Sequence, residues 1–394
     1  MIVEQLQTFT CDAGWRNYDY VKITTSDGIV GWSEYGEGFG SPGVTQAVRS
    51  LTPLVVGQPV SEHERIYQRL FAATRPAVRG VVGQAIGAIE NALLDAKAKI
   101  LGVPCYELFG GRVRDQIPVY WSHCGTWRAG YFGRFGNSVT DLAGITALGE
   151  EVRDRGFRAL KTNTLLEQDG RLRAVAPGFG RPFEPGYNVD RSTITGLLAL
   201  VDAFRDGAGD EVEILLDLNF NCRTEGYTTI AKELSARELF WIEIDSDSPQ
   251  GLAHVRRNSA NPISGGETLF GVNEFLPYFQ AQALDVGIID GIWNGMWQSL
   301  KMAGAAAGFE VNVAPHNFYG HLCTMMNAHF AAAVPNLRIM ETDIDRLPWD
   351  DDLVTNIPVY EDGDLVVGEE PGWGTDPVEE ALLAHPPKGG TRGL

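Results

Sequence analysis

Seven residues with reactive side chains stand near the ends of short apolar runs: Lys161, Asp217, Glu243, Glu267, Asp290, His316 and Glu341. After Asp217 they recur at intervals of 26, 24, 23, 26 and 25 residues. Asp217, Glu243 and Glu267 fall on three successive runs. Neighbouring strands lie about 4.8 Å apart, so carboxylates at matching heights can converge on one cation. Three anions buried together without a cation repel one another, and at least one would hold a proton. An all-oxygen set of this kind suits Mg2+ or Mn2+ rather than zinc. Any one of these acids alone reads equally as a solvated loop residue or a helix N-cap; three at this spacing read as a ligand set. Asn219, two residues past Asp217, is placed to bind a metal-held water or the substrate.

The run after the carboxylates ends in Asp290, and the next ends in His316. A carboxylate beside an imidazole orients the ring and supports its protonated form, which makes the pair a candidate general base. In "FRALKTN" (157–163), strand alternation puts Lys161 and Asn163 on one face. A lysine, a carboxylate-bound divalent ion and a histidine base together suit removal of a proton α to a carboxylate, because the charge that develops needs positive groups around it. His123, near the end of an earlier run, is a candidate substrate contact. His321 and His329 fall in the segment after His316 and read as packing residues.

Stepping these residues around one site requires a repeating unit. A (β/α)8 barrel uses about 30 residues per unit and gathers the C-terminal ends of its strands at one mouth. The runs "FRALKTN", "VEILLDLNFN", "ELFWIEID", "PISGGET", "LDVGIIDGIW", "FEVNVAPHN" and "LRIMETD" fit a compact version, beginning at "IPVYWSHCG". The interval from Lys161 to Asp217 is longer, 56 residues, and the Gly- and Pro-rich stretch 177–187 reads as an elaborated loop within it. Ahead of the runs, residues 1–35 alternate like strands with a hairpin turn at Ser26-Asp27-Gly28. Ser61 and Glu64 fit a capping box before a helix. A longer buried helix is predicted over 81–101, and a short one ends at Gly110-Gly111. "IPVYEDGDLVV" reads as a strand pair in the tail, and "WDDD" (349–352) as a solvated turn. "GFGSPG" (38–43) matches a G-x-G-x-x-G pattern, but no βαβ unit follows it, so it reads as a loop near the mouth and not as a dinucleotide site.

The chain has 394 residues, 44% of them hydrophobic, and a formal net charge of −19. That charge disfavours nucleic acid or an anionic membrane as partner. No apolar run is long enough for a transmembrane helix and no secretory signal is evident. The five scattered cysteines (Cys11, Cys105, Cys124, Cys222, Cys323) show neither zinc nor disulfide spacing, so a reducing cytoplasm is expected.

With these residues in view, the chain resembles the enolase superfamily, specifically its mandelate racemase-like group, of the acid-sugar dehydratase type. The likeness covers nearly the whole length: "IENALLDAKAKILGVPCYELFGGRVRD", Asp217–Asn219, "WIEID", "GGET", Asp290, "PHN", Glu341 and "EEPGWG". It implies an α/β fold, a modified TIM barrel (β/α)7β with an α+β capping domain. The expected division is 1–115 for the cap, 116–345 for the barrel and 346–394 for a segment rejoining the cap. It implies Mg2+ at Asp217, Glu243 and Glu267, one ion per subunit, the base dyad at His316 and Asp290, and Glu341 bonded to a substrate carboxylate. The capping loop 11–20, with Trp15, Arg16 and Tyr18, would close over a small-molecule carboxylate substrate, and an even-numbered homo-oligomer is expected. Two departures stand out. Lys161-Thr162-Asn163 replaces the lysine-x-lysine common at this strand, so Asn163 supplies a neutral hydrogen bond where relatives place a second base. Ile244-Asp245 follows Glu243 where relatives often carry Glu-Pro. The first departure leads to the expectation of a one-base dehydration giving a 2-keto-3-deoxy acid. The alternatives are a racemase, epimerase or cycloisomerase, and a catalytically silent barrel that binds acid sugars.

Overall fold

The apolar runs become eight parallel strands. In the computed structural model, which describes residues 1–38, 41–130, 138–179 and 188–388, they are Gln116–Ser122, Ala159–Asn163, Glu213–Asp217, Trp241–Glu243, Ile263–Gly265, Val286–Ile289, Asn312–Pro315 and Met340–Asp343. They are called barrel strands one to eight below. Strands one to seven pair in order, each parallel to the next. A Val313–Leu337 bridge joins the seventh to the approach of the eighth, and the eighth pairs with the first, so the ring closes. Runs this apolar suit strands buried on both faces, as parallel strands under helices are. Tyr120, Ala159, Leu215, Trp241, Val286, Ile288, Ala314 and Ile339 form one buried cluster inside the ring, a packed plug and not a pore.

Seven strands lead into helices: Leu142–Asp154, Arg191–Ala208, Thr224–Glu233, Pro249–Asn258, Gly271–Gln280, Met296–Ala307 and His321–Ala333. Asp141, Asp190 and Ser248 accept hydrogen bonds from first-turn amides and so fix where three of them begin. The eighth strand leads instead into the C-terminal segment. This is the expected (β/α)7β barrel.

Over it sits the α+β cap. Val3–Asp12, Asn17–Thr25 and Val30–Tyr35 form an antiparallel meander, followed by helices Val44–Val55, His63–Ala73 and Val81–Leu101. The last helix is rich in Ala and small residues, is buried over most of its surface and ends at Gly102 in the left-handed region, as helix termini favour. Its polar residues join it to its surroundings. The amide nitrogen of Asn91 donates to the Gly291 carbonyl at 3.1 Å, and its oxygen accepts from the Met296 amide at 2.7 Å. Asp95 accepts from the amides of Trp32 and Trp373, each at 2.8 Å. The C-terminal segment thus returns to the cap, and Trp373 donates its indole N–H to the Trp32 carbonyl at 3.0 Å. The glycine before that tryptophan is required: Gly372 has φ +74°, and a Cβ there would collide with Asp95 Oδ1. The tail hairpin Tyr360–Glu361/Asp364–Val366 lays its second strand antiparallel on the first barrel strand.

Three local expectations change. The long interval before Asp217 holds a hairpin, Leu165–Gln168 with Arg171–Ala174; residues 180–187 of the expected loop lie outside the described residues. The capping box at Ser61 and Glu64 does not form, because a 3-10 turn over Val60–Glu62 runs straight into the helix and leaves Glu62 at its N-cap, its side chain paired with Arg65 and not with a first-turn amide. In "WDDD", Asp351 and Asp352 are exposed, but Asp350 is buried and accepts from the Tyr18 hydroxyl at 3.3 Å and the Leu347 amide at 3.4 Å, so the turn is solvated except at that residue. In "GFGSPG", residues 39–40 lie outside the described residues, and Glu37 accepts from the amides of Gly43 and Thr45 to start the next helix. All five cysteines are free. No helix among the described residues is long and apolar enough to cross a membrane.

Candidate active site

Register places the acids. Asp217 and Glu243 are direct partners on strands three and four, and Asn163 partners Asp217 from strand two. Glu267 follows the fifth strand through Gly265 and Gly266, both with positive φ; a Cβ at Gly265 would strike the Ile244 carbonyl, so only glycine lets strand five press this close to strand four. Asp290 follows strand six and caps a short helical turn, its Oδ1 accepting from the amides of Ile292 at 3.0 Å and Trp293 at 2.8 Å. His316 follows strand seven, and its Nδ1 lies 2.7 Å from Asp290 Oδ2. The expected dyad is therefore formed, and Nε2 is left facing Glu267 Oε2 at 3.4 Å. Burial works against the charged ring, but Glu267, Asp290 and Glu341 push the pKa of His316 up to about 10.

Lys161 is enclosed inside the ring. Its Nζ lies 3.2 Å from Glu243, 3.5 Å from Asp217 and 3.1 Å from Glu341. Burial opposes its charge, yet Glu243 and Glu341 hold it well above the usual lysine range. Glu341 also accepts from Ser122 Oγ and, at 2.7 Å, from the Asn317 amide. Despite burial, Lys161 and His316 keep Glu341 far below the ordinary carboxylate range.

One lysine does not balance the remaining acids. Burial and mutual repulsion raise Glu243 to about 8 and Asp245 to about 6, and push Glu267 well above its ordinary value. Asp245 sits between strands three and five: its amide donates to the Asn219 carbonyl at 3.3 Å and its Oδ1 accepts from the Gly266 amide at 3.1 Å. Its Oδ2 is buried with no hydrogen-bond partner. An excess of buried carboxylates with an orphaned oxygen fits a hard divalent cation. The expected three-acid cage is nevertheless not closed: among the described residues no three acids, histidines or cysteines stand as a ready ligand group. The reason is competition from the protein's own cations, since Asp217 and Glu243 turn to Lys161 while Glu267 turns to His316.

Other expected contacts are placed as follows. Asn163 does not project freely toward a substrate; its amide donates to Asp217 Oδ2 at 3.1 Å and Asn219 Oδ1 at 3.3 Å, and its oxygen accepts from Thr126 at 2.9 Å. Asn219 likewise donates its backbone N–H to Asp217 Oδ1 at 2.8 Å. Both asparagines therefore aim Asp217. His123 pairs through Nδ1 with Asp343 at 2.9 Å and stacks on Trp127 at 4.2 Å. Trp15 packs on Trp127 at 5.0 Å. Arg16 is buried among Trp15, Tyr18, Phe318 and Tyr319 and donates to the Phe318 carbonyl, so the capping loop meets the segment after His316. Tyr18 donates its hydroxyl to Asp350 at 3.3 Å. His329 packs as expected, between Tyr106 and Trp373, and accepts from the Tyr106 amide at 3.3 Å, whereas His321 pairs with the exposed Asp351 at 2.8 Å. Sequence reasoning missed Ser122, Asn317 and Tyr319. The only signal for them was nearness to a strand end, which says nothing of where a hydroxyl or amide points.

Comparison with known proteins follows the same lines. Residues 8–110 match the family described as mandelate racemase / muconate lactonizing enzyme, N-terminal domain, and residues 145–381 match enolase C-terminal domain-like. A crystal structure from Burkholderia xenovorans, of a protein provisionally named an L-alanine-DL-glutamate epimerase and bound to magnesium and fumarate, is 61% identical, covers 99% of this chain and 98% of that one, and superposes with a TM-score of 0.98. The D-xylonate dehydratase of Haloferax volcanii is 27% identical over 99% of this chain and 90% of its own length. The D-gluconate dehydratase of Thermoproteus tenax is 28% identical over 94% and 70%. The expectation of an acid-sugar dehydratase type is corrected by these figures: the far more similar protein carries an epimerase's name, and the sugar-acid dehydratases are distant. The family, the barrel and the cap agree at every level, and the chain belongs to the enolase superfamily, as an enzyme of the mandelate racemase and muconate lactonizing enzyme group.

Proposed function

We propose that this enzyme is a Mg2+-dependent racemase or epimerase of a small carboxylate, working at the carbon α to the carboxylate. The observation that carries this reading is the His316–Asp290 dyad at 2.7 Å, set beside Glu267 at the barrel mouth. Asp217, Glu243 and Glu267 would hold the ion, with Asp245 close by. When bound, Mg2+ supplies the positive charge that makes an α-proton of a carboxylate removable. The magnesium and fumarate on the 61% identical protein support both the ion and a carboxylate substrate.

The chain's own residues do the rest. Asp290 holds the His316 ring with Nδ1 occupied; Glu267, the neighbour that most favours the charged ring, would be committed to the ion, which leaves Nε2 able to take the α-proton from one face. Lys161, kept protonated by Glu243 and Glu341, supplies a proton to the other face, and the two exchange roles in reverse. Asn163 does not serve as the second base; it steadies Asp217. The test is exchange in D2O with Mg2+ and a panel of amino-acid and hydroxy-acid carboxylates. Deuterium should enter the α position with inversion of configuration and no loss of water. His316→Asn should slow that exchange about a hundredfold or more while Mg2+ affinity holds. Exchange at the wild-type rate in that variant would remove His316 from the role, and products lacking water would remove the isomerase reading.

A further inference from the structure

The segment that follows His316 is held residue by residue, and one of its side chains returns to the dyad. Tyr319, 4% exposed, donates its hydroxyl to Asp290 Oδ2 at 2.7 Å. That is the same oxygen that meets His316 Nδ1, also at 2.7 Å. The Tyr319 and His316 rings stand edge to face at 5.8 Å. With the amides of Ile292 and Trp293 on Oδ1, both oxygens of Asp290 are fixed by at least two partners. A carboxylate held this way has no freedom to rotate, and so neither has the imidazole it orients.

What holds Tyr319 comes from two directions. Its carbonyl accepts from Arg346 at 2.6 Å, beyond the eighth barrel strand. From the cap, Arg16 donates to the Phe318 carbonyl. Glu34, on the third cap strand, accepts from the Gly320 amide at 2.6 Å and the Cys323 amide at 3.0 Å, at the start of helix His321–Ala333. Gly36 of the cap packs so near the Tyr319 ring that a Cβ there would stand 3.3 Å from its edge. The ring and backbone of Tyr319 are thus held from both the cap and the barrel.

We propose that Tyr319 is a positioning residue for the dyad: it acts through Asp290 to hold the His316 ring in the tautomer that leaves Nε2 for the substrate. The inference rests on His316 acting as the base, and its test separates the two. Tyr319→Phe keeps the ring and its packing and removes only the donor. In the Mg2+-loaded enzyme, α-proton exchange should slow about tenfold to a hundredfold, in kcat, with KM and Mg2+ affinity changed less than about twofold. The downfield proton resonance of the His316 Nδ1–H, identified by its loss in His316→Asn, should shift in Tyr319→Phe. Exchange at the wild-type rate overturns the proposal, as does an unmoved resonance. A fall in thermal midpoint with KM and kcat drifting together assigns Tyr319 to packing alone and also overturns it. If the resonance shifts but the wild-type enzyme exchanges no α-proton with any carboxylate tried, the positioning stands and the proposed reaction falls.

Discussion

Lys161 sets the electrostatics inside the barrel. Its Nζ is shared by Asp217, Glu243 and Glu341, all enclosed with it. Removing one partner from a buried charge network leaves the others without compensation, a loss of about 3–5 kcal/mol. Lys161→Met, close in shape, should therefore lower the unfolding free energy from urea denaturation at neutral pH by an amount in that range. An unfolding free energy equal to the wild type's would mean that the carboxylates find another partner or take up protons at no cost. At the same scale, Asn163 shows how a substitution changes a residue's task. A lysine there would compete for Asp217; the amide instead donates to Asp217 and accepts from Thr126, so it orients an acid without adding charge.

Among the elements, the buried helix Val81–Leu101 links cap to barrel through polar side chains. Asn91 grips Gly291 and Met296, on either side of the turn that Asp290 caps. Glu90 lies one residue earlier, buried, accepting from the Gln298 side chain at 2.7 Å. Burial raises its pKa from 4.5 to about 8, with the Gln298 bonds only partly offsetting. The folded protein then binds a proton that the unfolded chain releases. Its contribution to stability is full below the unfolded value and is lost as pH rises through about 8. Glu90→Gln keeps an acceptor for Gln298 and cannot ionise. Thermal or urea unfolding from pH 5 to 9 should show the wild type losing stability, at up to about 1.4 kcal/mol per pH unit from this group, where the variant stays flatter. Parallel curves would show that Glu90 ionises freely in the folded state.

For the whole molecule, the excess of buried carboxylates couples metal to fold. Chelating divalent ions from the Mg2+-loaded protein should lower the melting temperature at pH 8 and have little effect at pH 5. The sign follows from the raised values of Asp245, about 6, and Glu243, about 8: without the ion these groups are tolerated while protonated, and stability is lost as pH climbs through both. Ion at a hundred times its dissociation constant is worth about 2.7 kcal/mol, which differential scanning calorimetry would read directly. Equal melting temperatures at pH 8 with and without chelator would argue that Lys161 and His316 already satisfy the site.

The order of events along the chain was fixed by the sequence. Apolar runs at 23- to 26-residue intervals dictate strand–helix units, because only a strand of that composition tolerates burial on both faces, and a reactive residue at each run's end must then face one mouth. The barrel and the nearness of His316 to Asp290 and of Lys161 to the acids are legible on those grounds; the cap is legible from the strand and helix patterns ahead of the runs and from the family resemblance. Periodicity carries no information on hydrogen-bond partners across hundreds of residues. Hence spacing does not foretell that the Asn163 side chain and the Asn219 backbone N–H brace Asp217, or that Asp350 alone of the acids in "WDDD" is buried under the Tyr18 hydroxyl. Tertiary structure alone decided which cation each carboxylate meets, that Asp245 keeps an unpartnered oxygen, and that Tyr319 bends back to Asp290. Those outcomes depend on distances set when the ring closes and the cap docks, and spacing along the chain does not encode them.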